Sequence, residues 1–83
     1  MSDLAKLLDP KMLQLIRVLY QNKSNFYHLT QLAKEANVPA ATTLRFVKTL
    51  TSSGLIKTHV VGKLKIYQYY YSESNENLMR LLL

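Results

Sequence analysis

Cysteine is absent from all 83 residues, which rules out disulfides and thiolate metal sites together. Tryptophan is also missing, and glycine and proline occur only twice each. Two glycines are too few for a glycine-rich phosphate loop. No paired-carboxylate motif and no nucleophile-plus-histidine arrangement occurs, and Ser52 and Ser53 have no base beside them in the sequence. Enzyme is therefore the least favoured class, and no cofactor is expected. His28 and His59 stand apart, with no ligand companions at metal-binding spacing, so no metal is expected. There is no leading signal segment and no apolar run near the length of a membrane span, so no membrane contact and a cytoplasmic location are expected. Without linker-like or low-complexity stretches, residues 1–83 are expected to form a single domain. A domain of this size buries roughly 60–65% of its unfolded surface, so its core is modest. With disulfide and metal excluded, self-association is the remaining extra source of stability.

Acids are scarce as well, five against eleven Lys and Arg, for a net charge of +6. Their placement is more informative than their number. Residues 1–35 balance at +2 and residues 73–83 at −1. Between them, residues 36–72 hold Arg45, Lys48, Lys57, Lys63 and Lys65 with no Asp or Glu, a balance of +5. A stretch of that length without an acid points to a polyanionic partner. The alternative, a basic surface kept for solubility, is less favoured because the cations coincide with the two segments described next.

The first is Leu29 to Ile56, LTQLAKEANVPAATTLRFVKTLTSSGLI. It reads as two helices broken at Asn37-Val38-Pro39. Leu29, Leu32, Ala33 and Ala36 form the inner stripe of the first helix, and Thr43, Phe46, Val47 and Leu50 that of the second. Ala41, Thr42, Leu44, Arg45, Lys48 and Thr49 are left facing outward, a set suited to the major groove of DNA. Asn37 supplies the left-handed residue a tight turn needs, and Val38 should plug the core. The second segment changes period: Leu55–Val61 and Leu64–Tyr71 are β-branched and aromatic, with Gly62-Lys63 between them. That is a hairpin reversing at Gly62. In its second strand Lys65, Tyr67, Tyr69 and Tyr71 share one face and Leu64, Ile66, Gln68 and Tyr70 the other. Both faces are partly apolar, so the inward one is left open.

Around these lie supporting elements. Ser2 to Leu8 reads as a short helix, and Asp9-Pro10 as cap and first residue of a stronger helix to Gln21. The apolar arc of that helix exceeds half a circle, so it should be covered on more than one side. Phe26-Tyr27 is either a short strand or an apolar lead-in to the next helix. Ser72–Asn77 starts a last helix, followed by Leu78-Met79-Arg80-Leu81-Leu82-Leu83.

LLDPKMLQLIRVL (Leu7 to Leu19) resembles the opening of ArsR-type winged-helix repressors, and Leu29–Ile56 resembles their recognition unit. MarR-type and TrmB-type regulators are nearly as similar in the second segment. The resemblance spans about Leu4 to Tyr71. It implies a mainly α (α+β) winged helix-turn-helix fold of four to five helices with a two-stranded wing. It further implies a homodimeric transcription regulator that binds double-stranded DNA.

By position, the resemblance implies DNA contacts from Thr42, Leu44, Arg45 and Lys48, with Lys63 and Lys65 on the wing. The helix Pro39 to Ser53 would enter the major groove and Val61 to Lys65 would meet the backbone or minor groove. Arg45 is the leading candidate for base readout, the lysines for phosphates, and Thr49 is a further phosphate donor. Leu44 stands where a polar residue is more common, so it meets a thymine methyl or belongs to the core. The cap position before the second helix lacks a Ser or Thr, leaving backbone N–H groups free for a phosphate. Dimer contacts are expected from Leu4, Leu7, Leu8, Leu13, Tyr20, Leu78, Met79, Leu81 and Leu82. The alternative is that the last helix folds back onto its own core. An architectural or RNA-binding role without sequence preference, and a protein-interaction module, stay open beside the regulator.

Overall fold

The computed structural model describes residues 8–83. The short helix expected over Ser2–Leu8, with Leu4 and Leu7, lies outside the described residues apart from Leu8. Seven elements follow in order: α1 (Pro10–Gln21), β1 (Tyr27–His28), α2 (Leu29–Ala36), α3 (Ala40–Ser52), β2 (Ile56–Val61), β3 (Leu64–Tyr69) and α4 (Glu73–Leu82). The strands form one antiparallel sheet in the order β1-β3-β2. This is the winged helix-turn-helix architecture, mainly α with a β wing.

Local chemistry sets most of the boundaries. Asp9 caps α1, its carboxylate accepting from the Lys11 N–H at 2.7 Å, and Pro10 takes the first helical position where no N–H is needed. The lone His28 is a cap too: its Nδ1 accepts from the Gln31 N–H at the start of α2. Asn37 ends α2 in the left-handed conformation (φ 57°, ψ 46°), and the Val38 N–H closes on the Ala33 carbonyl at 3.0 Å. Gly62, at φ +61°, reverses the hairpin; with Lys63 at negative φ, the pair has the sign pattern of a II′ turn. Ser72 caps α4 by accepting from the Asn75 N–H.

One apolar cluster joins all of these elements. Leu15 and Leu19 of α1, Leu32 of α2, Val47 of α3 and Met79 of α4 are almost fully enclosed. Burying a side chain of this size stabilises the fold by roughly 1.5–3 kcal/mol relative to exposure. Thr43 is the buried polar residue of the centre, and its hydroxyl donates to the Pro39 carbonyl at 3.0 Å. Val38 plugs the turn between α2 and α3, 4% exposed.

Three open points in the sequence are resolved. Tyr27–His28 is a strand, pairing Tyr27 with Tyr67 and His28 with Ile66, so the hairpin gains a third strand. On β3 the odd-numbered face turns inward at its far end, burying Tyr67 and Tyr69 while Lys65 stays exposed. Part of the second cover on α1 comes from the chain itself. Leu78 and Leu82 of α4 line a groove with Met12 and Ile16 of α1, and the Tyr20 hydroxyl donates to Glu76.

The residues expected at a dimer contact divide accordingly. Leu13, Met79 and Leu82 lie in the monomer core, at 9%, 1% and 3% exposure. All three are enclosed by the monomer itself, and for Met79 and Leu82 this follows the alternative in which the last helix folds back onto its own core. The helical repeat explains it: residues three apart, 79 and 82, share the inner side of α4, while Leu81 projects outward, 55% exposed. Leu8, Tyr20 and Leu78 are half-buried against the core.

Candidate nucleic-acid interface

Helix α3 is held on three sides. The Asn37 turn fixes its start, Thr43, Val47 and Leu50 anchor its inner stripe, and the left-handed Gly54 terminates it. Gly54 and Leu55 donate back to the carbonyls of Thr51 and Leu50, each at 3.1 Å. On the wing side, the Thr51 hydroxyl meets the Thr58 hydroxyl of β2 at 2.9 Å. This bond ties helix to wing and had no signal in the sequence, because a pairing of hydroxyls seven residues apart follows from no local periodicity.

With 100° per residue, the ridge opposite the anchored stripe runs through Ala41, Arg45, Lys48 and Ser52, all exposed. Leu44 stands on the wing-side flank at 37% exposure, which excludes the core placement left open above. Thr42 lies on the other flank, half-buried. Arg45 extends along the ring of Phe46, its guanidinium carbon 5.3 Å from the ring centre. Thr49 is exposed, but its hydroxyl donates to the Arg45 carbonyl at 3.3 Å, so its proton is engaged within the helix. No side chain caps α3 at Pro39.

The wing brings its two lysines to the same side. Lys65 shares a face of β3 with Tyr67, towards the helices, and Lys63 occupies the turn. Two shallow hollows run between α3 and the wing, and Leu44 and Lys65 border both. Lys63 completes the first with His28 and Thr30, and Lys48 the second with Thr51 and Thr58. Leu44, Lys48, Lys63 and Lys65 are thus gathered around one depression, with Arg45 on the adjoining ridge. Lys57 is not part of it: it lies on the opposite face of the hairpin, its Nζ 4.1 Å from the Tyr70 ring centre.

Electrostatically this side is one-signed. Residues 36–72 contain no acid to pair with its cations. Among the described residues, the salt bridge present joins Lys23 to Glu76 at 3.5 Å, in a cluster between α1, β3 and α4. There Glu76 also accepts from the Tyr69 hydroxyl at 2.6 Å and from Tyr20. The Tyr69 bond chiefly holds the Glu76 carboxyl below its ordinary value, with Lys23 assisting. Burial, and then Glu76, push Tyr69 upward. Among the described residues, no group of three or more His, Cys, Asp or Glu could hold a metal, and no helix is long and apolar enough to cross a membrane.

Fold and site geometry together define a winged helix-turn-helix domain. The profile of the IclR helix-turn-helix domain matches residues 11–59, from α1 through most of β2, and the chain belongs to that family. The winged-helix class implied by the resemblance stands, with IclR rather than ArsR as the family matched. No curated protein matches the sequence. Solved structures share the fold at low identity. The chain is similar to protein AF1382 of Archaeoglobus fulgidus, with a TM-score of 0.73, 15% identity and coverage of 92% of this chain and 85% of that one. It is similar to the MarR family transcriptional regulator SPO1453 of Silicibacter pomeroyi, with a TM-score of 0.68, 18% identity, and 94% and 54% coverage. The transcriptional regulator BldR of Sulfolobus solfataricus gives 0.67, 16%, and 93% and 55%.

Proposed function

We propose that this chain binds double-stranded DNA in a sequence-specific manner and regulates transcription as a homodimer. Helix α3 lies in the major groove, and the wing meets the flanking backbone or minor groove. The carrying observation is the acid-free depression at which Lys48, Lys63 and Lys65 converge from two separate elements, with Arg45 on the ridge beside it. Arg45 on the ridge is the candidate for a base edge, where its fork pairs with guanine O6 and N7. Lys48, Lys63 and Lys65 neutralise phosphates, Lys48 from the helix and Lys63 and Lys65 from the wing. Thr42 and Thr49 lie at the margins as donors to the backbone, Thr49 by turning its proton from the Arg45 carbonyl to a phosphate. The family matched and the transcriptional regulators among the similar structures support this reading.

For the dimer, the exposed Leu81 and Leu83 and the groove lined by Leu8, Met12 and Leu78 form apolar surface beside α1 and α4. Selection from a random duplex pool, combined with the mass of the free protein, tests both parts. A pseudo-palindrome with half-sites about one helical turn apart is the expected product. Enrichment of no motif would move the reading to an architectural role, and a monomer at micromolar concentration would sink the dimer. One observation favours a second reading as a protein-interaction module. Val61 and Leu64 at the wing tip are 64% and 52% exposed, an apolar end where a DNA-contacting wing needs polar groups. That reading predicts no duplex binding even at low salt.

A further inference from the structure

We propose that Leu44 is a base-reading residue that selects thymine through its 5-methyl group, an inference that rests on α3 being the major-groove helix. Leu44 is the one large apolar side chain on the outward part of α3, where its exposed neighbours are Ala41, Arg45, Lys48 and Thr49. It makes no contribution to the core cluster. Its position is also not incidental to the charged groups. Lys48 follows it by one turn on α3, and Lys65 faces it across the hollow between helix and wing. Cations on both sides of the leucine give the surface two phosphate anchors, Lys48 on the helix and Lys65 on the wing.

The major groove offers one apolar group among its base edges, the thymine methyl; the others are donors and acceptors. A leucine pressed onto guanine O6 or the cytosine amino group would strip a polar atom of its water and return no hydrogen bond. Against thymine it covers a methyl instead. Leu44 therefore both favours thymine and penalises a G·C pair at the same position. Arg45, its neighbour in sequence but 100° round the helix, reads a different base.

The test isolates one methyl group. Duplexes recovered by selection are resynthesised with deoxyuridine replacing each thymine in turn, and binding of the full chain is followed by fluorescence anisotropy. At least one position per site should bind about fourfold more weakly, the factor that corresponds to ~0.8 kcal/mol for one buried carbon. Leu44→Ala should bind thymine and uracil duplexes alike while keeping its steep salt dependence, and Leu44→Met should retain part of the discrimination. Melting curves verify that both variants fold, as a surface position allows. Equal binding at every uracil position overturns the inference and leaves DNA binding intact. So does an unchanged thymine-to-uracil ratio in Leu44→Ala. Failure of the unaltered chain to bind any duplex at low salt removes the DNA reading itself.

Discussion

Lys63→Ala gives the sharpest test of the basic depression. Four cations per chain lie on this side, Lys48, Lys63 and Lys65 around the depression and Arg45 on the adjoining ridge. If each neutralises one phosphate, log K against log salt should fall with a slope of about −3.6 for one chain and about −7 for two. Raising salt from about 50 to 200 mM should then weaken binding about 150-fold for a monomer and about 2 × 10⁴-fold for a dimer. Removing Lys63 from both chains takes the dimer slope to about −5.4 and the loss to about 2 × 10³-fold. Lys57→Ala, on the opposite face of the hairpin, should leave the slope where it was. Anisotropy titrations at four or five salt concentrations suffice, and circular dichroism confirms that each variant is folded. A slope unchanged by Lys63→Ala, or shifted equally by Lys57→Ala, would show that the cations act as diffuse surface charge, and the argued geometry would be refuted.

Two further outcomes follow from the packing of α4. Met79→Ala, at a site 1% exposed, should cost roughly 2–5 kcal/mol in urea denaturation, and a change under about 0.5 kcal/mol would mean that α4 is not part of the monomer core. Glu76 has its folded pKa held below the ordinary 4.5, chiefly by the Tyr69 hydroxyl. Between the two values the unfolded chain binds more protons, so the stability this carboxylate contributes is complete above pH 4.5 and is lost as pH falls through the lower folded value. The stability gap between the unaltered chain and Glu76→Gln should therefore be wide at pH 6 and narrow on acidification, and an equal gap at both ends would contradict the cluster.

Legibility from the sequence tracked the range of the interaction. Asp9-Pro10, Asn37, Gly62 and Ser72 act within four residues of themselves, and the element boundaries they set agree with the structure. The inner stripe Thr43, Val47 and Leu50 followed from helical spacing, and the same spacing placed Arg45 and Lys48 outside. What failed to show were pairings across distance. β1 is two residues long and exists only because β3, some forty residues later, supplies its partner, so no local pattern marks it as a strand. The strand Leu64–Tyr69 has apolar residues on both faces, and its inward side is decided by helices the strand does not encode. For Leu78–Leu83 both covers stayed open, because hydrophobicity alone does not say whether the cover is a partner or the same chain. On α3, Thr49 is exposed as helical spacing requires, but its proton is shared with the helix backbone.

The sheet has a mechanical asymmetry with consequences for how the wing meets a surface. β1 grips β3 only at Tyr67 and Ile66, and the Thr51–Thr58 bond grips β2 at the matching rung. Beyond them, Val60 with Lys65 and Val61 with Leu64 are supported by each other alone. The hairpin is thus a short cantilever, held at its root by β1 along one edge and by α3 on its face, with its last two rungs paired only to each other. Lys63 and Lys65 ride on the compliant end while Arg45 and Lys48 ride on the fixed one. In the proposed binding mode, a duplex whose groove widens or narrows with sequence would be followed by the tip without disturbing the register of α3. Amide exchange should map the clamp line, fast at the two outer rungs and slow from Thr58 and Tyr67 inward; uniform protection along the hairpin would mean the wing is stiff throughout.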